Sequence, residues 1–183
     1  NYFRYTYRIW LKSKILRSIN LSQTFYYVGL PKDDYLTTDR GLWSSLEFSF
    51  LNQAKLEFRY SSRYTYLIND FDPTRSDSNV SLQAGTGYDY EDIEFSFQSD
   101  RSNIFNYNLK SSYGNFFNGT KFSLSSQMNY RVQPYLTASM RLNYDQIKLP
   151  DPFPSVNLIL IGPKVDITFS KKVFWGTFFQ FSS

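Results

Sequence analysis

The stretch Ala54-Lys55-Leu56-Glu57-Phe58-Arg59-Tyr60-Ser61-Ser62-Arg63-Tyr64-Thr65-Tyr66-Leu67-Ile68 alternates with a period of two. Its even positions carry Ala54, Leu56, Phe58, Tyr60, Tyr64, Tyr66 and Ile68, broken only by Ser62. Its odd positions carry Lys55, Glu57, Arg59, Ser61, Arg63, Thr65 and Leu67. Successive side chains of an extended strand point to opposite sides, so this segment is a strand with one apolar and one charged face. Fifteen residues are long for a strand of a soluble sheet and suit a tilted strand that crosses a bilayer.

The same pattern recurs along the chain and predicts ten antiparallel strands, at 2–11, 15–28, 40–50, 54–68, 79–100, 104–115, 120–131, 135–148, 156–169 and from Val173 onward. Tight connections fall at 12–14, 51–53, 101–103, 132–134 and 170–172, and looser ones at 29–39, 69–78, 116–119 and 149–155. Short turns at one end and longer loops at the other are the habit of outer-membrane barrels. The strand at 79–100 is unusually long. Its apolar set changes from even positions (Val80, Leu82, Ala84, Tyr88) to odd ones (Ile93, Phe95, Phe97), which predicts a β-bulge near Glu91-Asp92. A second slip of phase is expected at Gly162-Pro163.

Composition agrees with this reading. The chain of 183 residues is 42% hydrophobic and 20% aromatic, with 16 Tyr, 18 Phe and 3 Trp. Mean hydropathy is −0.44, and no apolar run approaches the roughly 18–20 residues of a transmembrane helix. A barrel gives this bland average because lumen-facing polar residues offset lipid-facing apolar ones, and its interfacial girdles are aromatic. The fold class expected is therefore all-β, an antiparallel transmembrane β-barrel, with residues 1–183 as one barrel segment. Strands already under way at Tyr2 and still running at Phe181 predict a fragment of a longer chain whose targeting segment and flanking strands lie elsewhere.

The polar parity carries Arg4, Arg8, Lys55, Arg59, Arg63, Lys110, Lys121, Arg131, Arg141 and Lys164, against Glu47, Glu57, Glu94, Asp145 and Asp166. Either this is a basic lumen that favours anions, or neighbouring strands pair the opposite charges; pairing is the expectation carried forward. The acidic loop Asp70-Phe71-Asp72-Pro73 with Asp77 lacks the spacing of a calcium loop and contains Arg75, so it reads as a solvated loop, as does Asp33-Asp34. Gly85-Thr86-Gly87 is not a phosphate loop and reads as glycine within a strand. Asn20-Leu21-Ser22, Asn79-Val80-Ser81 and Asn118-Gly119-Thr120 match a glycosylation triplet that a bacterial barrel would not use. With no Cys and no His, zinc, haem and thiol chemistry and the common nucleophile triads have no residues to draw on. The net charge of +4 includes no basic run of the kind that binds nucleic acid. No catalytic, cofactor or metal residue is assigned, no cofactor is expected, and the chain is read as not an enzyme.

Several turn-centred motifs occur in a fixed order: Gly85-Thr86-Gly87-Tyr88-Asp89-Tyr90, Phe97-Gln98-Ser99-Asp100-Arg101-Ser102, Gly114-Asn115-Phe116-Phe117-Asn118-Gly119-Thr120, Tyr130-Arg131-Val132-Gln133-Pro134, Ile147-Lys148-Leu149-Pro150, Thr168-Phe169-Ser170-Lys171-Lys172-Val173-Phe174 and Gln180-Phe181-Ser182. In that order they resemble the C-terminal barrel region of DUF5916, a Bacteroidetes envelope family of uncharacterised function. The resemblance covers residues 80–183 and, more loosely, the rest. It implies a barrel in the outer membrane of a Gram-negative bacterium that continues past Ser183. Members often carry an N-terminal domain similar to family 9 carbohydrate-binding modules, which implies a glycan ligand bound through a part not present here. The implied partners are outer-membrane lipid and other envelope proteins. The role expected is a membrane anchor or conduit linked to glycan binding or uptake. A TonB-dependent-receptor-like transporter and a barrel-anchored hydrolase with its site outside this segment are the alternatives.

Overall fold

The computed structural model describes residues 1–31, 36–74 and 80–183. The strands are β1 (Tyr2–Trp10), β2 (Leu16–Leu30), β3 (Leu36–Phe50), β4 (Lys55–Tyr66), β5 (Gly87–Gln98), β6 (Phe105–Phe116), β7 (Gly119–Val132), β8 (Leu136–Lys148), β9 (Val156–Thr168), β10 (Phe174–Phe178) and β11 (Phe181–Ser182). They form one antiparallel sheet in the order β1 to β10, with β11 also on β9. The sheet is open: β1 and β10 lie at its two ends and are not paired to each other. The chain is thus all-β, in a single meander where each strand neighbours the next in sequence.

Register shows why the alternation matters. One row of paired positions runs Phe48, Leu56, Phe97, Leu109, Ser126, Leu142, Ile161, Phe181 across eight strands. A row on the other face runs Ser22, Ser45, Arg59, Glu94, Ser112, Ser123, Asp145, Leu158. Because the side-chain period is two, a slip of one residue at any strand would exchange these faces, so the pattern itself holds the register. Among the described residues no second layer covers the apolar face: Phe3 and Ile93 are each 63% exposed and Tyr113 61%. The buried apolar residues that cluster together, Leu67, Leu82, Ile147, Leu149 and Phe153, belong to the looser end of the sheet, not to that face.

Several expectations need correction. No bulge occurs at Glu91-Asp92, since β4 and β5 keep one register from Lys55↔Gln98 to Tyr66↔Gly87. The strand also does not extend from 79; it starts at Gly87 after a turn in which Gly85 has φ +81°. Val80, Leu82 and Tyr88 do share a side, but it is the one that bears the charged residues, where they pack on or beside Leu67. What looks like one apolar set changing parity is a loop packed on the polar face followed by a strand whose odd residues lie on the apolar face. Likewise no register slip occurs at Gly162-Pro163, where β9 pairs with β8 without interruption. The break falls in the neighbour instead. β10 and β11 keep one register against β9 and part opposite these two residues, because proline has no N–H to give.

The 29–39 loop is shorter than expected, as β2 runs to Leu30 and β3 begins at Leu36 with an irregularity beside Val28. The 116–119 connection is a two-residue turn at Phe117-Asn118, with Phe117 at φ 52°. A left-handed conformation at a bulky residue costs about 1–3 kcal/mol. Phe117 offsets it by packing against Phe71, Phe116, Tyr88 and Tyr90 at ring-centroid distances of 4.8–5.8 Å. Its place is a wedge. β5 and β6 pair only from Gln98↔Asn108 to Asp92↔Gly114, so β5 leaves β6 beyond Asp92 and these rings fill the gap.

Candidate functional site

The polar face is the one surface where chemistry-bearing side chains converge. Every charged residue assigned to it from parity lies there by register. Most of the cations are matched by an acid. Glu94 sits between Arg59 (3.1 Å) and Lys110 (2.7 Å), with its side chain only 12% exposed. Arg63 pairs with Asp92, Lys121 with Asp145 (3.4 Å) and Lys164 with Asp166 (2.8 Å). Glu47 and Glu57 stand directly opposite each other, which would repel. Lys55 answers Glu47 at 3.3 Å, Arg59 answers Glu57 at 2.9 Å, and the Asn20 amide donates to Glu47 Oε1 at 2.7 Å. Half-exposed pairs of this kind each contribute about 0.2–1 kcal/mol, so their main effect is to set the local potential and hold rotamers.

Aromatic rings also enter this face: Trp43 lies there as its parity predicts, while Tyr26 and Tyr90 are not assigned to it from the sequence. Tyr26 stacks on Trp43 at 4.7 Å. The Arg63 guanidinium lies 4.8 Å over Tyr90, whose hydroxyl is 3.0 Å from Thr65 Oγ1; Thr65 in turn donates to Asp39 at 3.1 Å. Asp92 belongs to the same group and was overlooked because it was assigned to the bulge. The run Tyr88, Tyr90, Asp92, Glu94 on one parity was the available signal: four even residues, two of them acidic, share a face with the Arg59 and Arg63 set.

At the β1–β2 edge, Arg4 Nε donates to Thr24 Oγ1 (3.1 Å) and Arg8 Nε to Asn20 Oδ1 (2.7 Å). A cavity of about 490 Å³ opens over these residues and reaches Arg59. A second, of about 380 Å³, lies over β6 and β7 near the tight turns, beside Arg101 and Arg131. Neither arginine has a carboxylate partner among the described residues, and the same holds for Arg4, Arg8 and Arg141. The polar face therefore carries both paired charges, as pairing across strands predicts, and guanidiniums with no carboxylate partner among the described residues.

The other sequence candidates resolve simply. Asp70 Oδ1 accepts from the Ala84 amide at 2.8 Å, and Asp72 Oδ1 from the Thr74 amide (2.8 Å) and hydroxyl (2.6 Å), so both carboxylates shape their own loop. Asp33, Asp34, Arg75, Asp77 and Asn79 lie outside the described residues. Gly85 lies in the turn, and Gly87 opens β5 where a Cβ would fall 2.3 Å from the Tyr64 hydroxyl. Asn20 is buried in its polar network. Among the described residues no three His, Cys, Asp or Glu side chains are grouped to hold a metal ion.

Among the described residues no helix is long and apolar enough to cross a membrane, which says nothing of crossing by strands. No family model matches the chain, and neither does any curated protein or solved structure.

Proposed function

We propose that this chain forms barrel wall in the outer membrane of a Gram-negative bacterium, as a membrane anchor or a conduit. The observation that carries the reading is the uncovered apolar face. A sheet must bury its apolar side against another layer, and here the described residues supply none, although the side is continuous across the strands. Lipid is the remaining apolar solvent. At about 3.3 Å per residue a strand of twelve residues such as β4 reaches about 40 Å, and a tilt near 45° reduces its height to about 28 Å. That fits a hydrocarbon layer about 30 Å thick. Lipid offers no partner for free backbone groups, so the two sheet edges must be paired in the membrane. The turn motifs add a link to glycan handling through an N-terminal domain.

Folding into detergent micelles and lipid vesicles tests this. The expected result is a β-rich, heat-modifiable band on gels that forms only when micelles or bilayers are present. A chain that folds and stays monomeric in buffer without detergent overturns it.

A further inference from the structure

We infer that the polar face near the tight turns holds a binding site for a polyhydroxylated anion, centred on Arg101 and Arg131. The 380 Å³ cavity there has no acid among its walls. Around Arg59 and Arg63 the cations meet carboxylates; this cavity is lined by two guanidiniums and the carboxamides of Gln98, Asn106, Asn108, Gln127 and Asn129. The nearby acids are engaged: Asp100 accepts from Ser102 N (2.8 Å) and Oγ (2.7 Å), and Asp166, opposite Thr137, is held by Lys164 at 2.8 Å.

The amides are already ordered. Gln127 Nε2 donates to Asn129 Oδ1 (3.3 Å), Asn129 Nδ2 to Asn106 Oδ1 (3.0 Å) and Asn106 Nδ2 to the Asn103 carbonyl (3.3 Å). Arg101 Nη2 reaches Gln98 Oε1 at 2.8 Å, and Arg131 Nη2 reaches the Arg101 carbonyl at 3.4 Å. Each guanidinium keeps further N–H groups for a carboxylate or phosphate, which it can bind through two parallel bonds. Carboxamides donate and accept at once, as hydroxyls require. A neighbouring cavity of about 350 Å³ shares Gln98, Asn108 and Gln127 and adds Arg141, so the site continues along the face and suits a solute with more than one charge.

The inference rests on the polar face being the inside of the proposed wall. The test separates the two, because folding in micelles is scored first by the heat-modifiable band and binding afterwards by calorimetry. Trigalacturonate, a neutral glucose trimer and inorganic phosphate are titrated into the folded chain. Trigalacturonate is expected to bind, to weaken with added salt, and to lose at least tenfold in affinity in Arg101→Gln/Arg131→Gln. A Lys171→Gln/Lys172→Gln chain, altered in a turn outside the cavity, should bind as the parent does. Absence of trigalacturonate binding to the folded chain overturns the site. So does equal binding by the arginine double variant, by the neutral trimer or by phosphate.

Discussion

Phe58 and Arg59 are neighbours in the chain and lie on opposite faces of the sheet. Phe58 is 44% exposed on a face with nothing over it, in edge contact with the Phe95 ring at 5.5 Å. Arg59 is held between Glu57 and Glu94. Rotating β4 by half a turn would take Arg59 away from its carboxylates and leave a phenyl ring among ion pairs. In the proposed barrel wall the two faces are stabilised by unlike means: one by the lipid around it, the other by side-chain partners of its own.

The strongest way to break this comparison is to put a charge on the wrong side. Phe58→Arg is expected to cost about 2–4 kcal/mol of folding stability in vesicles, as for a cation facing the middle of a bilayer. Ser112→Lys, opposite Glu94 on the polar face, should change it by less than about 1 kcal/mol. Urea titration of the vesicle-folded chains measures both, and equal losses would end the distinction between the faces. A smaller effect is expected from Leu82→Ala, in the apolar patch that covers the polar face at its looser end. The loss should be about 2 kcal/mol, at the low end for a buried leucine because a loop can partly collapse into the gap. It should read as faster proteolysis of the 67–86 connection with membrane insertion unchanged.

The smallest effect belongs to Asp100, in the turn between β5 and β6. Hydrogen bonds from the Ser102 hydroxyl and amide hold its carboxyl below the ordinary aspartate value. A carboxyl lowered by folding adds stability above its unfolded value, about 3.9, and that contribution is lost as pH falls through the folded value. Amide exchange at Ser102 should therefore quicken in the acid range below about pH 4 in the parent chain. Asp100→Asn should remove that pH dependence; an unchanged profile would mean the turn is held by other bonds.

Much of this was legible in the residues. The two-residue period fixed strand identity, register followed from it, and every charge assigned to the polar face lies there. What misled the reading was the double nature of aromatic side chains. Tyr88 and Tyr90 look like membrane-facing residues by hydropathy, yet they pack inward against Phe117 and, for Tyr90, under Arg63. A tyrosine suits an interfacial belt or a mixed interior equally well, so periodicity alone could not choose. The loop before β5 added to this, since Val80 and Leu82 alternate like a strand while serving as a lid on Leu67. The arginine and carboxamide site was hidden for another reason: its members come from the turn at 101 and from β5, β6 and β7, and only pairing brings them together.

Pro163 has a mechanical consequence. The Phe179 amide donates to its carbonyl at 3.0 Å, but the return bond cannot form. β10 and β11 are consequently two short pairings of five and two residues, joined through Phe179-Gln180. A force that peels this segment from β9 would open it in two steps, the shorter pairing first, while β8 and β9 stayed closed.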